Sequence, residues 1–376
     1  MKFLIFLFGY LILGLLSYVI PKKKGMAVFV DSFTKRSYSK FTGNHKSLYL
    51  YMLNKPSELK PYWLTGDKNI FSLLSSQKYP VLLFNKITLF WFILRAELLI
   101  LVSHGPQMPW GKFKFVQLWH GAGFKDIVKD KHNYFLNKSS EKLSFIIASS
   151  DADQKRKIDC FGNQRVIITG FPRNDIFFRN DLNADNYKNT IGIKPERHII
   201  LYAPTFRQKT QKYTLPFSYS FHSKLCDFLK KRNMVFLIKR HPLDNSLKFN
   251  DNCEYIRDVT SYIEDVQELL AVTDIMISDY SGIVSDFVLT GKPILYYLYD
   301  YDDYIKSKSF YYDVREATPG PFIYNENDLL EYLVDMAWFD DSNYRLKYQE
   351  FVDRFHLFKD GNSSARVLEQ ILKMRN

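Results

Sequence analysis

The sequence predicts an α/β protein of two doubly wound parallel-sheet domains facing a cleft, preceded by an apolar N-terminal membrane segment. Three observations carry this expectation. Short β-branched or aromatic runs alternate with helix-length stretches, the pattern of parallel strands joined by crossover helices. The alternation restarts after a polar stretch at 180–194, and 376 residues is an ordinary length for two domains. The unusual polar residues stand just after the predicted strands, where open parallel sheets receive ligands.

In chain order, residues 3–20 (FLIFLFGYLILGLLSYVI) carry no charge and end at Pro21, Lys22, Lys23 and Lys24. As a helix this run is about 27 Å long, close to the roughly 30 Å of a bilayer core. A single lysine precedes it, no A-x-A-like site follows it, and the strong positive cluster lies after it, which argues against a secretory signal. The basic triplet favours a cytoplasmic location for the rest of the chain, whether the segment spans the membrane or lies in its interface. A buried core helix is the alternative. A second apolar stretch, 81–102, is broken by Lys86, Arg95 and Glu97 and reads as a helix over 87–96 and a buried strand over 98–103. Phe90, Trp91 and Phe92 suit that helix either to a headgroup layer or to packing between layers.

Further strands are predicted at 27–31, 115–119, 145–149 and 166–169, with a helix at 46–53. The second half reads as strands at 198–203, 235–239, 254–257, 274–278 and 293–297, with helices at 221–232, 262–272, 283–290 and 327–336. The expected division is therefore a membrane-associating segment at 1–24, an N-terminal domain at 25–190 and a C-terminal domain at 191–376.

Charge is distributed unevenly. Residues 1–190 hold 28 basic and 13 acidic groups, a net of +15, whereas 191–376 hold 24 and 27, a net of −3. A basic half fits nucleic acid, anionic lipid or a polyanionic substrate. No RNP-like or KH-like motif supports the first, and an RNA-binding protein would leave the apolar terminus without a role. With 46% hydrophobic and 24% charged residues, disordered and all-membrane classes are excluded. Cys160, Cys226 and Cys253 form neither a legible disulfide framework nor a zinc site, and a reducing compartment is the simplest inference.

The strand ends supply the chemistry. Ser281 and Gly282 precede a predicted helix, where a hydroxyl and open N–H groups suit a phosphate, although Ser281 could equally be a helix cap. Lys239, Arg240 and His241 end one strand and Arg207 another, either as donors to a pyrophosphate or as a surface charge patch. His120 follows a strand and is followed by Gly121, which makes it the candidate general base, with a structural histidine as the alternative. Walker A, G-x-S-x-G and H-E-x-x-H motifs are absent, and the Asp300 to Asp303 run lacks the rest of a cation ligand set. No tightly bound cofactor or metal is expected.

These blocks in this order (QLWHGAGFKD at 117–126, TGFPRND at 169–175, LYAPTFR at 201–207, KRHP at 239–242, TDIMISDYSGIVSDFVLTGKPILYYLYDYDDY at 273–304, FYYD and TPGPF at 310–322) resemble the CDP-glycerol glycerophosphotransferase family, the teichoic acid primases and polymerases and related capsule enzymes. The resemblance spans roughly residues 20–370. It implies a GT-B-like pair of domains, with a CDP-glycerol or CDP-ribitol donor held by the C-terminal domain and the acceptor approached from the N-terminal one. It assigns His120 as base and His241 to the donor phosphates. Thr205, Arg207, Lys239, Arg240, Ser278, Asp279, Ser281, Gly282 and Asp286 fall on the donor side, and Gly121, Lys125, Arg173, Asn174 and Asp175 on the acceptor side.

The reaction so implied is transfer of glycerol phosphate or another polyol phosphate to a hydroxyl of a polyprenyl-pyrophosphate-linked saccharide, releasing CMP at the cytoplasmic face of a bacterial membrane. A nucleotide-sugar glycosyltransferase of capsule or cell-wall synthesis is the alternative. The implied partners are an anionic membrane surface and the lipid-linked acceptor, without nucleic acid. The chain resembles the shorter primase-type members. Two blocks depart from the usual pattern: a G-T-P-L-K-like run reads Gly121-Ala122-Gly123-Phe124-Lys125, and the Ser-Ser pair after D-Y reads Ser281-Gly282.

Overall fold

The computed structural model describes residues 2–30, 40–102, 111–123, 143–163, 165–179, 182–205, 207, 216–240, 253–307 and 310–375, with backbone alone for 2–10 and 86–90. The chain forms two compact units, Met1–His120 with Ile127–Asp175 and Asp360–Asn376, and Gly121–Asp126 with Ile176–Lys359. This differs from a division after residue 190: residues 176–190 join the second unit, and the C-terminal segment returns to the first.

In the first unit the strands are β1 (Lys23–Val30), β2 (Lys60–Thr65), β3 (Val81–Leu83), β4 (Ala96–Leu101), β5 (Phe115–Gln117), β6 (Leu143–Ala148) and β7 (Val166–Ile168). They lie in the order β3-β2-β1-β4-β5-β6-β7, and each neighbouring pair is parallel. Val28 stands opposite Tyr62 on one side and Leu99 on the other. Both faces are covered, so Ala27 to Val30 are all buried rather than alternating. The helices are α1 (Lys2–Val19), α2 (Gly43–Asn54), α3 (Lys68–Ser76), α4 (Lys86–Arg95) and α5 (Asp151–Phe161). Asp67 caps α3 by accepting from Asn69 N and Ile70 N, Ser150 caps α5 by accepting from Asp153 N, and Gly162 closes α5 at φ +63°.

Inside α5, Asp153, Arg156 and Lys157 are buried together. Lys157 Nζ donates to Asp153 (2.8 Å) and to Ile147 O (2.7 Å), and lies 4.6 Å from the Phe171 ring. Burial pushes the Lys157 ammonium down to about 8, against the pull of Asp153.

The apolar N-terminal run forms α1, which packs on α4. Among the described residues no helix is long and apolar enough to cross a membrane. Leu13 joins the core of the first unit, whereas Leu15, Tyr18 and Val19 are exposed. On α4, Ile93 and Leu94 are buried and Trp91 is exposed, with Arg95 5.1 Å from its ring. Of the basic triplet, Lys23 and Lys24 are exposed, but Lys22 turns inward to Leu94 O (2.8 Å).

The second unit begins with α6 (Ala184–Thr190) and carries β8 (His198–Ala203), β9 (Met234–Ile238), β10 (Ile256–Asp258), β11 (Ile275–Ser278), β12 (Ile294–Tyr297) and β13 (Phe322–Ile323) in the order β10-β9-β8-β11-β12-β13, again all parallel. Helices α7 (Tyr219–Arg232), α8 (Val266–Val272), α9 (Val284–Phe287), α10 (Tyr301–Ser307), α11 (Val314–Ala317), α12 (Glu326–Val334) and α13 (Ser342–Phe355) follow their strands or close the unit. Cys226 on α7 and Cys253 before β10 form a disulfide, which corrects the reading of the cysteines. Their 27-residue separation has no short spacing to mark it, and the inference of a reducing compartment loses its support.

The last helix, α14 (Ser363–Arg375), belongs to the first unit and is held at both ends. Asp175 accepts from Ser363 N and Ser364 N at 2.8 Å each, and Arg375 pairs with Glu97 at 2.6 Å. A carboxylate on two otherwise unsatisfied N–H groups at a helix start is both a cap and a dipole partner. Asp175→Ala should therefore cost about 1–2 kcal/mol and lower the melting temperature by a few degrees, measured by thermal unfolding; an unchanged transition would remove this role.

Candidate functional site

In each sheet the strand order reverses next to its first strand, between β1 and β4 and between β8 and β11. Such a reversal sends the following loops to opposite faces and opens a crevice at the carboxyl ends. In the second unit the donor-side candidates stand there. Ser278, fully buried at the end of β11, donates to Ala203 O at the end of β8 (2.7 Å) and ties the two strand ends together. Asp279 is likewise buried and accepts from Thr205 N (2.9 and 3.0 Å), Thr205 Oγ1 (2.7 Å) and Arg207 Nη2 (2.9 Å).

Arg207, expected to fork onto a pyrophosphate, is turned inward instead. Its Nε and Nη2 donate to the two oxygens of Asp300 (2.7 and 3.0 Å) and its Nη1 to Thr205 O (2.7 Å). It stacks 4.6 Å from Tyr304 and 5.3 Å from Tyr280, whose rings lie face to face at 3.9 Å. Burial disfavours its charge, but Asp279 and Asp300 outweigh burial and raise its pKa above the ordinary arginine value. The physical reason for the change of role is Asp279: a carboxylate at a closed strand end requires a counter-charge. Burial, with Asp300 and Asp279, also raises the Tyr280 phenol well above its usual range.

Arg240 behaves similarly. Its Nε and Nη2 reach Asp258 (3.0 and 2.6 Å), and its own N–H donates to Thr260 Oγ1 (2.9 Å). Lys239 Nζ donates to Thr260 O (3.2 Å) while remaining half-exposed. His241 and Lys125 lie outside the described residues.

The predicted helix over 283–290 is one α-helical turn, α9, continued by a 3-10 turn over Val288–Thr290. So short an element has little macrodipole, and any attraction for an anion rests on individual N–H groups. Ser281 and Gly282 are half-exposed, and Ser281 Oγ accepts only a long bond from Ile283 N (3.4 Å). Asp286 is buried and accepts from Gln267 Nε2 (3.1 Å), an interior position rather than a ligand-facing one. Ser285 Oγ donates to Gly282 O (2.7 Å) and Ala122 O (3.2 Å), and the buried His356 hydrogen-bonds the Ser285 carbonyl. The two departures from the family pattern thus meet: a Cβ on Gly282 would stand 2.8 Å from Ala122 O and 3.4 Å from Gly123 Cα.

In the first unit His120 is exposed just beyond β5. Trp119 before it holds the left-handed conformation at φ +53°, and Gly121 after it has φ +119°. The Trp119 and His120 rings lie 4.1 Å apart. Arg173 Nη1 donates to His120 O (2.8 Å), so the segments at 117–123 and 169–175 meet. Asn174 is buried, and Asp175 is the cap of α14, which corrects its expected acceptor-side position. Among the described residues, no group of three or more His, Cys, Asp and Glu could hold a metal ion. Sequence reasoning missed Asp258, Asp300, Ser285 and His356, whose partners are fixed only by the fold; Asp300 stood in a motif but was weighed only as a cation ligand.

The chain matches the CDP-glycerol:poly(glycerophosphate) glycerophosphotransferase family over residues 13–373. It is 26% identical over 381 residues to the teichoic acid glycerol-phosphate transferase of Staphylococcus aureus (strain NCTC 8325 / PS 47), covering 94% of each chain. It is 26% identical over 382 residues to the teichoic acid poly(glycerol phosphate) polymerase of Bacillus subtilis (strain 168), covering 94% of this chain and about half, 49%, of that protein. To the teichoic acid ribitol-phosphate polymerase TarK of Staphylococcus aureus it is 27% identical over 365 residues, covering 91% of this chain and 68% of that one. The fold is similar to that of the wall teichoic acid polymerase TagF, with a TM-score of 0.79 at 22% identity over 94% of this chain and 90% of that one. A TagF variant soaked with CDPG gives the same likeness.

Gly282→Ser should force the 121–123 segment away from α9, because both near atoms are backbone and cannot swing aside. The expected outcome is a loss of about 1–3 kcal/mol, read as a lower melting temperature in a thermal melt. Unchanged melting would mean that the two segments do not need this close approach.

Proposed function

The chain belongs to the CDP-glycerol:poly(glycerophosphate) glycerophosphotransferase family, and from that premise we propose that it transfers a polyol phosphate, glycerol phosphate first, from a CDP-polyol to a hydroxyl of a polyprenyl-pyrophosphate-linked saccharide, releasing CMP. The observation that carries this reading is the position of the Asp279-Tyr280-Ser281-Gly282 block at the strand-order reversal of the second unit. The CDPG soak of the TagF variant supports a CDP-activated donor. Relatives that handle glycerol phosphate and ribitol phosphate support a polyol phosphate as the transferred group.

In the proposed reaction His120 takes the proton of the acceptor hydroxyl as its oxygen attacks the β-phosphorus of the donor. The bond from that phosphorus to the bridging oxygen breaks, and CMP leaves with the electron pair. No covalent intermediate forms on the enzyme. Half-exposed Ser281, Gly282 and Lys239, with His241, meet the charge on the phosphates. Arg207 and Arg240 act one step back, holding Asp279 and Asp258 and through them the loops that carry the contacting groups.

The test is CMP release from CDP-glycerol and CDP-ribitol with a lipid-linked disaccharide acceptor. Acceptor-dependent CMP from one donor is expected, with His120→Ala slowed about 10²- to 10⁴-fold while donor affinity is kept. Normal turnover in His120→Ala would remove the base, and failure to bind either donor would sink the proposal.

We further propose that the protein works at the cytoplasmic membrane face in teichoic acid or related surface-polymer synthesis, with α1 lying in the interface. The exposed Leu15, Tyr18, Val19 and Trp91 on α1 and α4, beside Lys23 and Lys24, support this reading. Leu15→Glu with Val19→Glu should reduce co-sedimentation with anionic vesicles about tenfold or more; undiminished binding would rule out α1 as the contact.

A further inference from the structure

We propose that Asn44, acting with Arg173, is a positioning residue that fixes the backbone carrying His120. This inference rests on the reading of His120 as the base. Asn44 sits in the first turn of α2 and is buried, 1% exposed. Its amide joins three segments that are remote in sequence. Nδ2 donates to Leu118 O (3.1 Å) and Trp119 O (2.9 Å), and Oδ1 accepts from Arg173 N (3.1 Å). Arg173 then reaches over with Nη1 to His120 O (2.8 Å).

The brace closes around the one point in this segment where the backbone is strained. Trp119 is not a glycine, yet it holds φ +53°, a conformation that β-carbon sterics disfavour and that persists only where its surroundings over-determine it. The carbonyls of residues 118, 119 and 120 are each held by a side-chain donor from this set. Trp119 N also donates to Gln117 Oε1 (3.1 Å). Without these bonds the peptide could relax to an ordinary conformation, which would rotate His120 away from its present direction. A carboxylate in place of the amide would keep the bond from Arg173 N but present lone pairs to two carbonyl oxygens. Only an amide of this length meets both demands. Asn44 touches no reacting atom, and its effect is transmitted through the 118–120 backbone.

Asn44→Asp, which is isosteric, and Arg173→Gln, which leaves the buried amide in place, are compared with wild type by CMP release and by the histidine ring signals of labelled protein titrated from about pH 5 to 8. The His120 signal is assigned by its loss in His120→Gln. Both variants should lower kcat about 10- to 100-fold, as misplacement of a reacting group does, while KM for the CDP-polyol stays within about twofold. The His120 signal and its titration midpoint should shift, which a merely structural role would not require. If either variant keeps wild-type kcat and an unmoved His120 signal, the proposal is wrong. If Asn44→Asp does not fold, Arg173→Gln decides by the same readouts. Should wild type release no CMP from either donor, the functional reading fails, and the His120 signal alone decides whether the brace exists.

Discussion

The buried carboxylate of Asp279 is the constraint on which the described loops after β8, β11 and β12 depend. It ends β11 where water does not reach, and an ionised group there is tolerated only with a full set of donors. Thr205 contributes its N–H and hydroxyl, and Arg207 its guanidinium, so the loop after β8 is pulled onto the end of β11. Arg207 in turn needs a second anion, and Asp300 after β12 supplies it. Three loops from three adjacent strands are thereby locked by one charge network, and the tyrosines around it exclude water. Removing one member of such a network typically costs about 3–5 kcal/mol, because the others stay buried without their partner.

The same logic recurs in each unit at smaller scale. Asp258 holds Arg240 at the end of β9, and Asp153 holds Lys157 beneath Phe171 and the loop that begins at Thr169. Arg240, which the sequence offers as a ligand donor, is thus paired inside the protein, and Lys157 is paired likewise. Ser281 is half-exposed and His120 exposed, and these are among the groups proposed to meet a substrate. The proposed catalysis by positioned donors would gain from this division, since a donor that must first be ordered gives up part of its effect.

The architecture was largely legible because parallel strands covered on both faces read as short, continuous apolar runs. The strands β8, β11 and β12 stand within a residue of their expected positions. The strands β2 and β3 were missed: Pro61 obscures the first, and the three residues of the second merge into the apolar run that becomes α4. The predicted helix at 283–290 is one α-helical turn continued by a 3-10 turn, and the close approach of Gly282 before it to Ala122 is a contact that no local pattern signals. The Cys226–Cys253 disulfide and the capping of α14 by Asp175 were illegible for the same reason, each joining positions far apart along the chain.

What the sequence determined by itself was the class of fold, the family and the strand ends where chemistry collects, because periodicity and ordered motifs are properties of neighbouring residues. The tertiary structure decided which of the charges in those motifs face inward. Arg207, Arg240, Asp175 and Asp286 have side chains that would suit a ligand equally well, and their roles follow from partners brought to them by the fold. The physical reason is that burial sets the value of a charge: beside a paired carboxylate it becomes part of the scaffold, and in water it remains free to meet a substrate.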